Sequence, residues 1–327
     1  MANIAEKQPK ISQLFKKIIQ KNQLQHAYIF EGVAGTGKYE MAKWIAQTVH
    51  CLNKAEDGTP CLTCNQCLRI EQEEHPDVTM VEPDGLSIKV DQVRQIKEEF
   101  SKSGMESRRK ILIVKEMEKM TTSASNSLLK FIEEPEGEIT IILLTTEVQQ
   151  LLPTIVSRCQ LVHFPVQDIH ERIVDITAQE IPQGSATLLA HLTQDANVAL
   201  EIYESEDFNS IVDTIWQWFV FLNKDADRAF IYVQTNLMPL VNSRETASLM
   251  LDLILLIYRD LMSISFRQER VLAFSKYENE LKKAATPTIQ HQLSQILTVI
   301  LDGKKKLNSY VAAQGIFEQI SLELMKV

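Results

Sequence analysis

Residues 26–39 read His26-Ala-Tyr-Ile-Phe-Glu-Gly-Val-Ala-Gly-Thr-Gly-Lys-Tyr39, a short apolar run that leads directly into a glycine-rich loop. The loop has the spacing of a phosphate-binding loop, because Gly32 is followed after four residues by Gly37 and Lys38. His26–Phe30 predicts the strand that enters such a loop. Apolar residues at helical spacing predict the helix that leaves it: Met41, Ala42, Ile45, Ala46 and Val49. This order of strand, loop and helix predicts an α/β fold of the nucleotide-binding type.

The remainder of residues 1–165 continues the same pattern. Apolar residues after Pro9 predict an amphipathic first helix: Ile11, Leu14, Phe15, Ile18 and Ile19. Further apolar runs predict additional strands: Val78–Val81, Ile111–Val114, Ile139–Leu144 and Leu161–Phe164. Helical patterns lie between them, at Val90–Lys102 and Thr122–Glu133. Because strands that alternate with helices form parallel sheets covered on both faces, we predict one α/β domain over residues 1–165.

The pattern changes beyond residue 165, where no strand-like run stands out and no glycine occurs between Gly184 and Gly303. Short helical patterns predict a small helical lid over residues 166–207. Longer apolar periodicities predict an all-helical domain over residues 208–327: Phe208–Leu222, Arg244–Phe266 and Thr288–Val327. Three aromatic residues are predicted in its core, with contact to a partner as the alternative: Trp216, Trp218 and Phe219.

The composition of the 327 residues is that of a globular protein, with 45% hydrophobic and 24% charged residues. The net charge of −9 argues against a protein whose whole surface binds DNA, since such binding is dominated by basic contacts to phosphate. Ser107-Arg108-Arg109-Lys110 is either a local basic patch or a solvated loop before a strand. Met1–Lys10 is polar, and the apolar run Leu249–Ile257 is too short to cross a bilayer. We therefore expect a cytoplasmic protein without a signal peptide.

Four of the five cysteines are clustered with the spacing C-x9-C-x2-C-x2-C: Cys51, Cys61, Cys64 and Cys67. Two successive C-x2-C steps place three thiolates around one tetrahedral centre, and the first cysteine can complete it. Disulfides are disfavoured in a reducing cytoplasm, and an iron–sulfur cluster stays open as an alternative. We predict a structural zinc module at about residues 51–67, whose closed site folds a loop and catalyses nothing. Cys159 lies apart from this group and is expected to be a packing residue.

Two positions that would bind magnesium carry unsuitable residues. Tyr39 stands where a phosphate loop has the Ser or Thr whose hydroxyl touches the metal. The strand Ile111–Val114 should end in Asp, but Lys115 occupies that position and reverses the charge beside the cation. Glu116 retains a carboxylate at the next position, and a shift in register would make Glu116 or Glu118 a metal ligand instead. We therefore predict no intrinsic ATPase activity.

Two further features concern the γ-phosphate of a bound nucleotide. The predicted strand Ile139–Leu144 ends in Thr145-Thr146, where a polar residue can sense that phosphate or simply cap the strand. Arg158 follows in the stretch Ser157-Arg158-Cys159. An arginine at a domain edge can complete the site of a neighbouring subunit and accelerate phosphoryl transfer by about 10³–10⁵-fold. From the residues alone, a surface salt bridge is the more ordinary role for Arg158.

Several motifs in the first 165 residues occur together in one known family. They are His26–Phe30, the loop Gly32–Lys38, the four clustered cysteines, His75–Val78, Ile88–Arg94, Asn126–Pro135 and Ser157-Arg158-Cys159. On these motifs the chain resembles the delta-prime subunits of the bacterial DNA polymerase III clamp loader, which belong to the AAA+ superfamily. The helical C-terminal half fits the architecture of that family but carries no motif of its own.

The resemblance implies an AAA+ module, a helical lid and an all-α collar that joins a hetero-pentamer. The implied partners are the tau/gamma motor subunits and the delta subunit, with the sliding clamp and primer-template DNA reached through the complex and no membrane. It also implies a non-hydrolysing stator, part of a nucleotidyltransferase holoenzyme, in which Arg158 is a trans-acting arginine finger. The degenerate phosphate loop leaves passive ATP binding open through four retained residues: Gly32, Gly35, Gly37 and Lys38.

Two other functions remain as alternatives. An active AAA+ ATPase motor of the tau/gamma type is supported by the glycine loop, Glu116 and Thr145. A zinc-dependent nucleic-acid-binding module is weaker, because the acidic net charge disfavours tight DNA binding by the isolated chain.

Overall fold

The computed structural model describes residues 4–101, 106–107, 109–135, 137–205, 207–309 and 311–325. The chain forms two compact units, Met1–Gln167 and Asp168–Val327. The first unit combines a parallel sheet with helices, and the described residues of the second contain helices and no strand. The boundary between the two units lies close to the predicted domain boundary at residue 165.

The strands of the first unit are β1 Ala27–Glu31, β2 Val78–Val81, β3 Arg109–Val114, β4 Glu138–Thr145 and β5 Gln160–His163. Its helices are α1 Ile4–Lys7, α2 Pro9–Gln20, α3 Lys38–His50, α4 Asn65–Glu71, α5 Val90–Ser101, α6 Thr122–Glu133 and α7 Pro153–Val156. Within the described residues, the strands and helices predicted for residues 1–165 are confirmed, with shifts of a few residues at their ends. Lys102, the predicted end of the helix that starts at Val90, lies outside the described residues. Helix α1 is an addition that the sequence pattern did not indicate.

The strands form a five-stranded sheet, within the described residues, in the order β2-β3-β4-β1-β5, and every neighbouring pair is parallel. In parallel α/β sheets the loops at the carboxyl ends of the strands share one edge. Gly32 after β1, Lys115 after β3 and Thr146 after β4 therefore lie at the same edge. Arg158 precedes β5 and lies at the opposite edge.

Helices cover both faces of the sheet, and the residues of its central strands β1 and β4 are almost all buried. Alternate residues of β1 point to opposite faces. Tyr28 and Phe30 join the core formed with α2 and α3, whereas Ile29 joins the core formed with α5 and α6. Phe15 of α2 packs against Tyr28 and Phe30, with ring centroids 5.2 and 5.6 Å apart. One core thus lies on each face of the sheet.

The second unit contains helices that share one apolar core. They are α8 Ile169–Thr177, α9 Gln183–Leu192, α10 Ala196–Glu204, α11 Phe208–Leu222, α12 Ala226–Tyr232, α13 Arg244–Ser265, α14 Glu278–Ala284, α15 Pro287–Asn308 and α16 Ala313–Met325. Trp216, Trp218 and Phe219 are all buried in this core, as predicted. The core extends from Ile176 to Ile320, so the division at residue 207 into a lid and a collar stays a prediction. Within the described residues, no helix combines the length and apolar character needed to cross a membrane.

Candidate functional site

The phosphate loop joins β1 to α3 and is shaped by two glycines. A Cβ on Gly32 would lie 2.8 Å from the carbonyl oxygen of Phe164, so no side chain fits there. Gly37 has a φ of 83°, in the left-handed region that favours glycine, and it immediately precedes α3. The N-terminus of α3 therefore faces the loop, an arrangement suited to binding phosphate.

Lys38 already has hydrogen-bond partners within its own loop. Its Nζ donates to the carbonyl oxygens of Gly32 at 2.5 Å and Val33 at 2.7 Å. Burial lowers the pKa of Lys38, while the carboxylates of Glu118 and Glu40 act in the opposite direction. A phosphate entering the loop would have to compete with two carbonyl groups for the three donors of this ammonium group.

The N-terminal residues pack directly on the phosphate loop. A Cβ on Gly37 would overlap the side chain of Ile4 in α1, so these two residues are in contact. Gln8, which is buried, donates from Nε2 to the carbonyl oxygen of Thr36 at 3.1 Å. The loop is thus covered by a segment in which the sequence shows no nucleotide-related motif.

Tyr39 and Lys115, the residues at the two magnesium positions, contact each other. Lys115 Nζ lies 4.1 Å from the centroid of the Tyr39 ring and 3.1 Å from Glu82 Oε2. The Tyr39 hydroxyl donates to Glu73 Oε1. Burial and this carboxylate raise the pKa of Tyr39, so the phenol stays protonated. A neutral phenol and an ammonium group thus occupy positions where magnesium needs oxygen ligands.

Glu118, rather than Glu116, is the carboxylate held at the end of β4. It accepts hydrogen bonds from Thr145 Oγ1 at 2.8 Å and Thr146 Oγ1 at 2.7 Å. Burial alone would raise the pKa of Glu118, but its hydrogen bonds from the backbone and from both threonines lower it. Glu116 is exposed and pairs with Lys119 at 2.9 Å. The threonine hydroxyls that could sense a phosphate therefore donate to a carboxylate of the same chain.

Arg158 is too far from the phosphate loop of its own chain to act there. Gln160 at the start of β5 pairs with Tyr28, and Gly32 lies four residues beyond Tyr28 along β1. At the rise of an extended strand this is a separation of about 13 Å. Arg158 precedes Gln160, so its backbone lies still farther from Gly32. An arginine side chain is too short to span that distance.

Contacts within the chain hold the Arg158 side chain. Its Nε lies 2.7 Å from Glu133 Oε1, and its Nη1 donates to the carbonyl oxygen of Thr154 at 3.0 Å. The side chain is 41% exposed. The surface salt bridge considered from the sequence is therefore present, and it leaves the guanidinium accessible.

The four predicted zinc ligands come together. The Sγ atoms of Cys51, Cys61, Cys64 and Cys67 all lie within 4.8 Å of one another. Tetrahedral zinc with Zn–S distances of about 2.3 Å separates its sulfur ligands by about 3.8 Å. Cys51 Sγ lies 3.5 Å from Cys61 Sγ and 4.0 Å from Cys64 Sγ. In the described part of the chain, no other group of three or more His, Cys, Asp or Glu residues is placed to hold a metal ion.

The chemistry of the cluster suits a single metal ion. All five cysteines are free, so the disulfide alternative is not adopted. Backbone N–H groups of Thr63 and Cys64 lower the pKa of Cys61 to about 6, which favours the thiolate form that binds metals, whereas burial raises the pKa of Cys51 and of Cys67. The close approach of the sulfurs leaves room for one ion, whereas an iron–sulfur cluster would need several atoms between them.

The cysteine insert is anchored to the helices around it. Cys51 directly follows α3, and Gln47 of α3 donates from Nε2 to the carbonyl oxygen of Cys67 at 3.2 Å. Lys16 of α2 pairs with Asp57 Oδ2 at 2.7 Å. A metal ion would therefore cross-link a loop that is already attached to α2 and to α3.

The candidate basic patch before β3 is used largely for structure. Arg109 Nη1 donates to the carbonyl oxygen of Leu24 at 3.1 Å and to Thr140 Oγ1 at 3.2 Å. Lys110 Nζ donates to the carbonyl oxygen of Phe100. Arg108 lies outside the described residues. The described basic residues thus attach the start of β3 to its neighbours and do not form an exposed cationic surface.

Similarity to known proteins identifies the family to which this chain belongs. Residues 7–168 match the family described as DNA polymerase III, delta subunit. DNA polymerase III subunit delta' of Bacillus subtilis (strain 168) is 37% identical over 324 residues, which cover 98% of this chain and 97% of that protein. The chain belongs to the DNA polymerase III subunit delta' family. The family predicted from the sequence motifs is thereby confirmed.

More distant similarities extend over most of the chain. DNA polymerase III subunit gamma of Buchnera aphidicola subsp. Acyrthosiphon pisum is 25% identical, covering 91% of this chain and 88% of that protein. A solved DNA polymerase III gamma subunit-related protein from Thermotoga maritima is 20% identical, covers 96% of this chain and 98% of that chain, and has a TM-score of 0.42. The predicted fold class is confirmed in its parallel sheet flanked by helices, its cysteine cluster and the helices that follow.

Proposed function

We propose that the chain is a non-hydrolysing stator subunit of the DNA polymerase III clamp loader. In this role it helps to load the sliding clamp on primed DNA. Its partners are tau/gamma motor subunits and a delta subunit in a hetero-pentamer, and it contacts clamp and primer-template DNA through that complex. Membership of the delta' family supports a place in the DNA polymerase III assembly.

The observation that carries the proposed mechanism is the position of Arg158. The residue lies at the opposite edge of the sheet from the phosphate loop, so it has no access to a nucleotide in its own chain. An exposed guanidinium at that edge is accessible to the site of an adjacent subunit. There it would stabilise the charge that develops on the transferred phosphoryl group, an effect worth about 10³–10⁵-fold in rate.

The state of the phosphate loop supports the absence of hydrolysis. Lys38 is bonded to loop carbonyls, Ile4 packs on Gly37, and the two magnesium positions hold Tyr39 and Lys115. Phosphoryl transfer depends almost entirely on positioning and on charge stabilisation by the metal and the loop lysine. A site that lacks these contacts keeps the shape of an ATPase without its chemistry.

The cysteine cluster supports structural zinc binding. Cys51, Cys61, Cys64 and Cys67 provide four thiolates, and zinc bound by four protein ligands has no open position for a substrate. The ion would cross-link the segment between α3 and α4. It takes no part in nucleotide chemistry.

The proposal is tested by reconstituting the loader with motor and delta subunits. Arg158→Ala should leave assembly unchanged and strongly reduce DNA-stimulated ATP hydrolysis, whereas full activity would contradict the finger. The matched control is Arg94→Ala, which removes an exposed arginine on α5 whose ion pair, among the described residues, is with Asp91. This control should retain wild-type hydrolysis.

The second candidate is an active ATPase motor of the tau/gamma type. The retained glycines, Lys38 and the N-terminus of α3 favour it, because these groups bind phosphate in working ATPases. ATP turnover by the purified chain separates the two functions. A magnesium-dependent rate that Lys38→Ala abolishes would establish the motor and contradict the stator.

A further inference from the structure

Glu133 and Arg158 form an ion pair between the end of α6 and the segment that precedes β5. Arg158 Nε lies 2.7 Å from Glu133 Oε1, and Nη1 donates to the carbonyl oxygen of Thr154 at 3.0 Å and to Ser157 Oγ at 3.3 Å. Among the residues that the structure describes, none accepts a hydrogen bond from Nη2. The guanidinium is therefore held through two of its nitrogens, and the third is left to bind another acceptor.

This ion pair contributes little to the stability of the fold. The side chains are 41% and 40% exposed, and ion pairs at such positions are weak in water. Glu133 is also the last residue of α6, where a negative charge is unfavourable beside the carboxyl end of the helix dipole. Stability of the helix therefore does not explain a carboxylate at this position.

The backbone on either side of Arg158 is fixed by packing. Ile155 is buried in the core formed with α5 and α6, and Cys159 packs against the same core. The backbone N–H of Arg158 donates to the carbonyl oxygen of Ile155 at 3.0 Å. With its backbone anchored, the remaining freedom of Arg158 lies in its long side chain, which is the part that Glu133 holds.

We infer that Glu133 is a positioning residue for Arg158. By pairing with Arg158, Glu133 holds the guanidinium in position to reach the phosphate groups of a nucleotide in the neighbouring subunit. This inference rests on the proposed function of Arg158. An arginine that is free in solution loses its side-chain rotamer freedom when it binds phosphate, whereas an arginine already held by a carboxylate has lost much of it beforehand. Because the ion pair is formed at Nε, Nη2 stays available for the phosphate oxygens.

The test uses the complete clamp loader, reconstituted with variant chains, and measures kcat and KM for ATP in DNA-stimulated hydrolysis. Glu133→Gln removes the charge and keeps the size of the side chain. It should lower kcat by at least about tenfold and by no more than Arg158→Ala does. KM and assembly should be unchanged. Glu133→Asp retains the carboxylate and should recover part of the lost kcat.

Two further variants make the result specific. Glu134→Gln makes the same charge change at the adjacent exposed position and should retain the wild-type kcat. In the double variant, Glu133→Gln should add no further loss to Arg158→Ala, since it acts through that residue. Independent losses that multiply would show that Glu133 acts elsewhere, which overturns the inference.

The outcomes separate this inference from the function on which it rests. If Arg158→Ala leaves hydrolysis unchanged, the proposed function is wrong and the inference falls with it. If Arg158→Ala lowers kcat and Glu133→Gln does not, only the positioning role is wrong. A higher kcat for Glu133→Gln would mean that the carboxylate restrains the arginine and competes with phosphate, which also overturns the inference.

Discussion

Lys115 Nζ lies 4.1 Å from the centroid of the Tyr39 ring, so the two residues that depart from the magnesium-binding pattern contact each other. Glu82 pairs with the same ammonium group at 3.1 Å, and Glu73 accepts from the Tyr39 hydroxyl. The two departures are therefore parts of one polar network and are not independent losses. Returning only one of them to the magnesium-binding residue would remove the cation–π contact and leave the other with its carboxylate partner alone.

The first prediction concerns the energy of this contact. A double-mutant cycle with Tyr39→Leu and Lys115→Met should give a coupling energy of about 0.5–1 kcal/mol, the value expected for a cation–π pair near the surface. Hydrogen exchange of the sheet amides reports the stability of the first unit. The control cycle pairs Tyr39→Leu with Lys43→Met, because the Nζ of Lys43 lies 5.2 Å from the same ring. This cycle should give a smaller coupling energy. Equal coupling in both cycles would contradict the assignment.

The second prediction concerns the cover over the phosphate loop. Ile4→Ser should increase the affinity of the purified chain for a fluorescent ATP analogue by roughly 5–10-fold, because displacing a partly buried isoleucine costs about 1 kcal/mol. Leu14→Ser makes a similar change at an exposed position of α2 and should leave the affinity unchanged. If both variants bind like the wild type while Lys38→Ala abolishes binding, Ile4 does not limit access to the loop.

Local patterns predicted the elements of the first unit well, whereas contacts between distant residues were not predictable. The bounds of α6 follow from its apolar spacing and from Thr121, whose side chain accepts from the backbone N–H of Ala124 at the start of the helix. By contrast, the contact of Ile4 with Gly37 depends on how the chain folds back. The position of Arg158 was evident from its motif, but its pairing with Glu133 required the three-dimensional arrangement of α6 and β5.

The choice of Glu118 over Glu116 shows the same limit at shorter range. Both carboxylates follow β3 in sequence, and the sequence left either one as a candidate metal ligand. Glu116 adopts a left-handed backbone conformation with a φ of 47°, so the chain turns sharply at this residue. That turn brings Glu118 to Thr145 and Thr146. Apolar spacing and motif position do not encode such a turn.

The third prediction concerns the metal. Elemental analysis of the purified chain should return about one zinc per chain, and iron in its place would contradict the assignment. Cys61→Ser should release the metal and lower the melting temperature, with most of the far-UV circular dichroism retained. The sheet should survive because neither of its cores uses a described residue of the segment 52–66. Cys159→Ser is the matched control and should keep its zinc, since Cys159 lies outside the cluster.

The fourth prediction concerns the stability of the second unit in acid. Burial, assisted by the nearby charge of Arg259, lowers the pKa of His191 to about 4, and its Nε2 donates to the carbonyl oxygen of Val271 at 3.0 Å. In the unfolded chain the pKa of this histidine is about 6.5. As the pH falls below that value, the unfolded state binds a proton while His191 in the folded state stays neutral. Stability from the neutral imidazole is therefore complete above about pH 6.5 and is lost progressively as the pH falls towards about 4.

Urea unfolding at about pH 7 and about pH 5 measures this loss. The wild type should lose about 1–2 kcal/mol more than His191→Gln over this interval, after allowance for the partial exposure of the ring. Glutamine is chosen because its amide can still donate to the Val271 carbonyl group. His291→Gln on the exposed face of α15 should show the wild-type loss. The same loss in His191→Gln would mean that other groups carry the acid sensitivity of this unit.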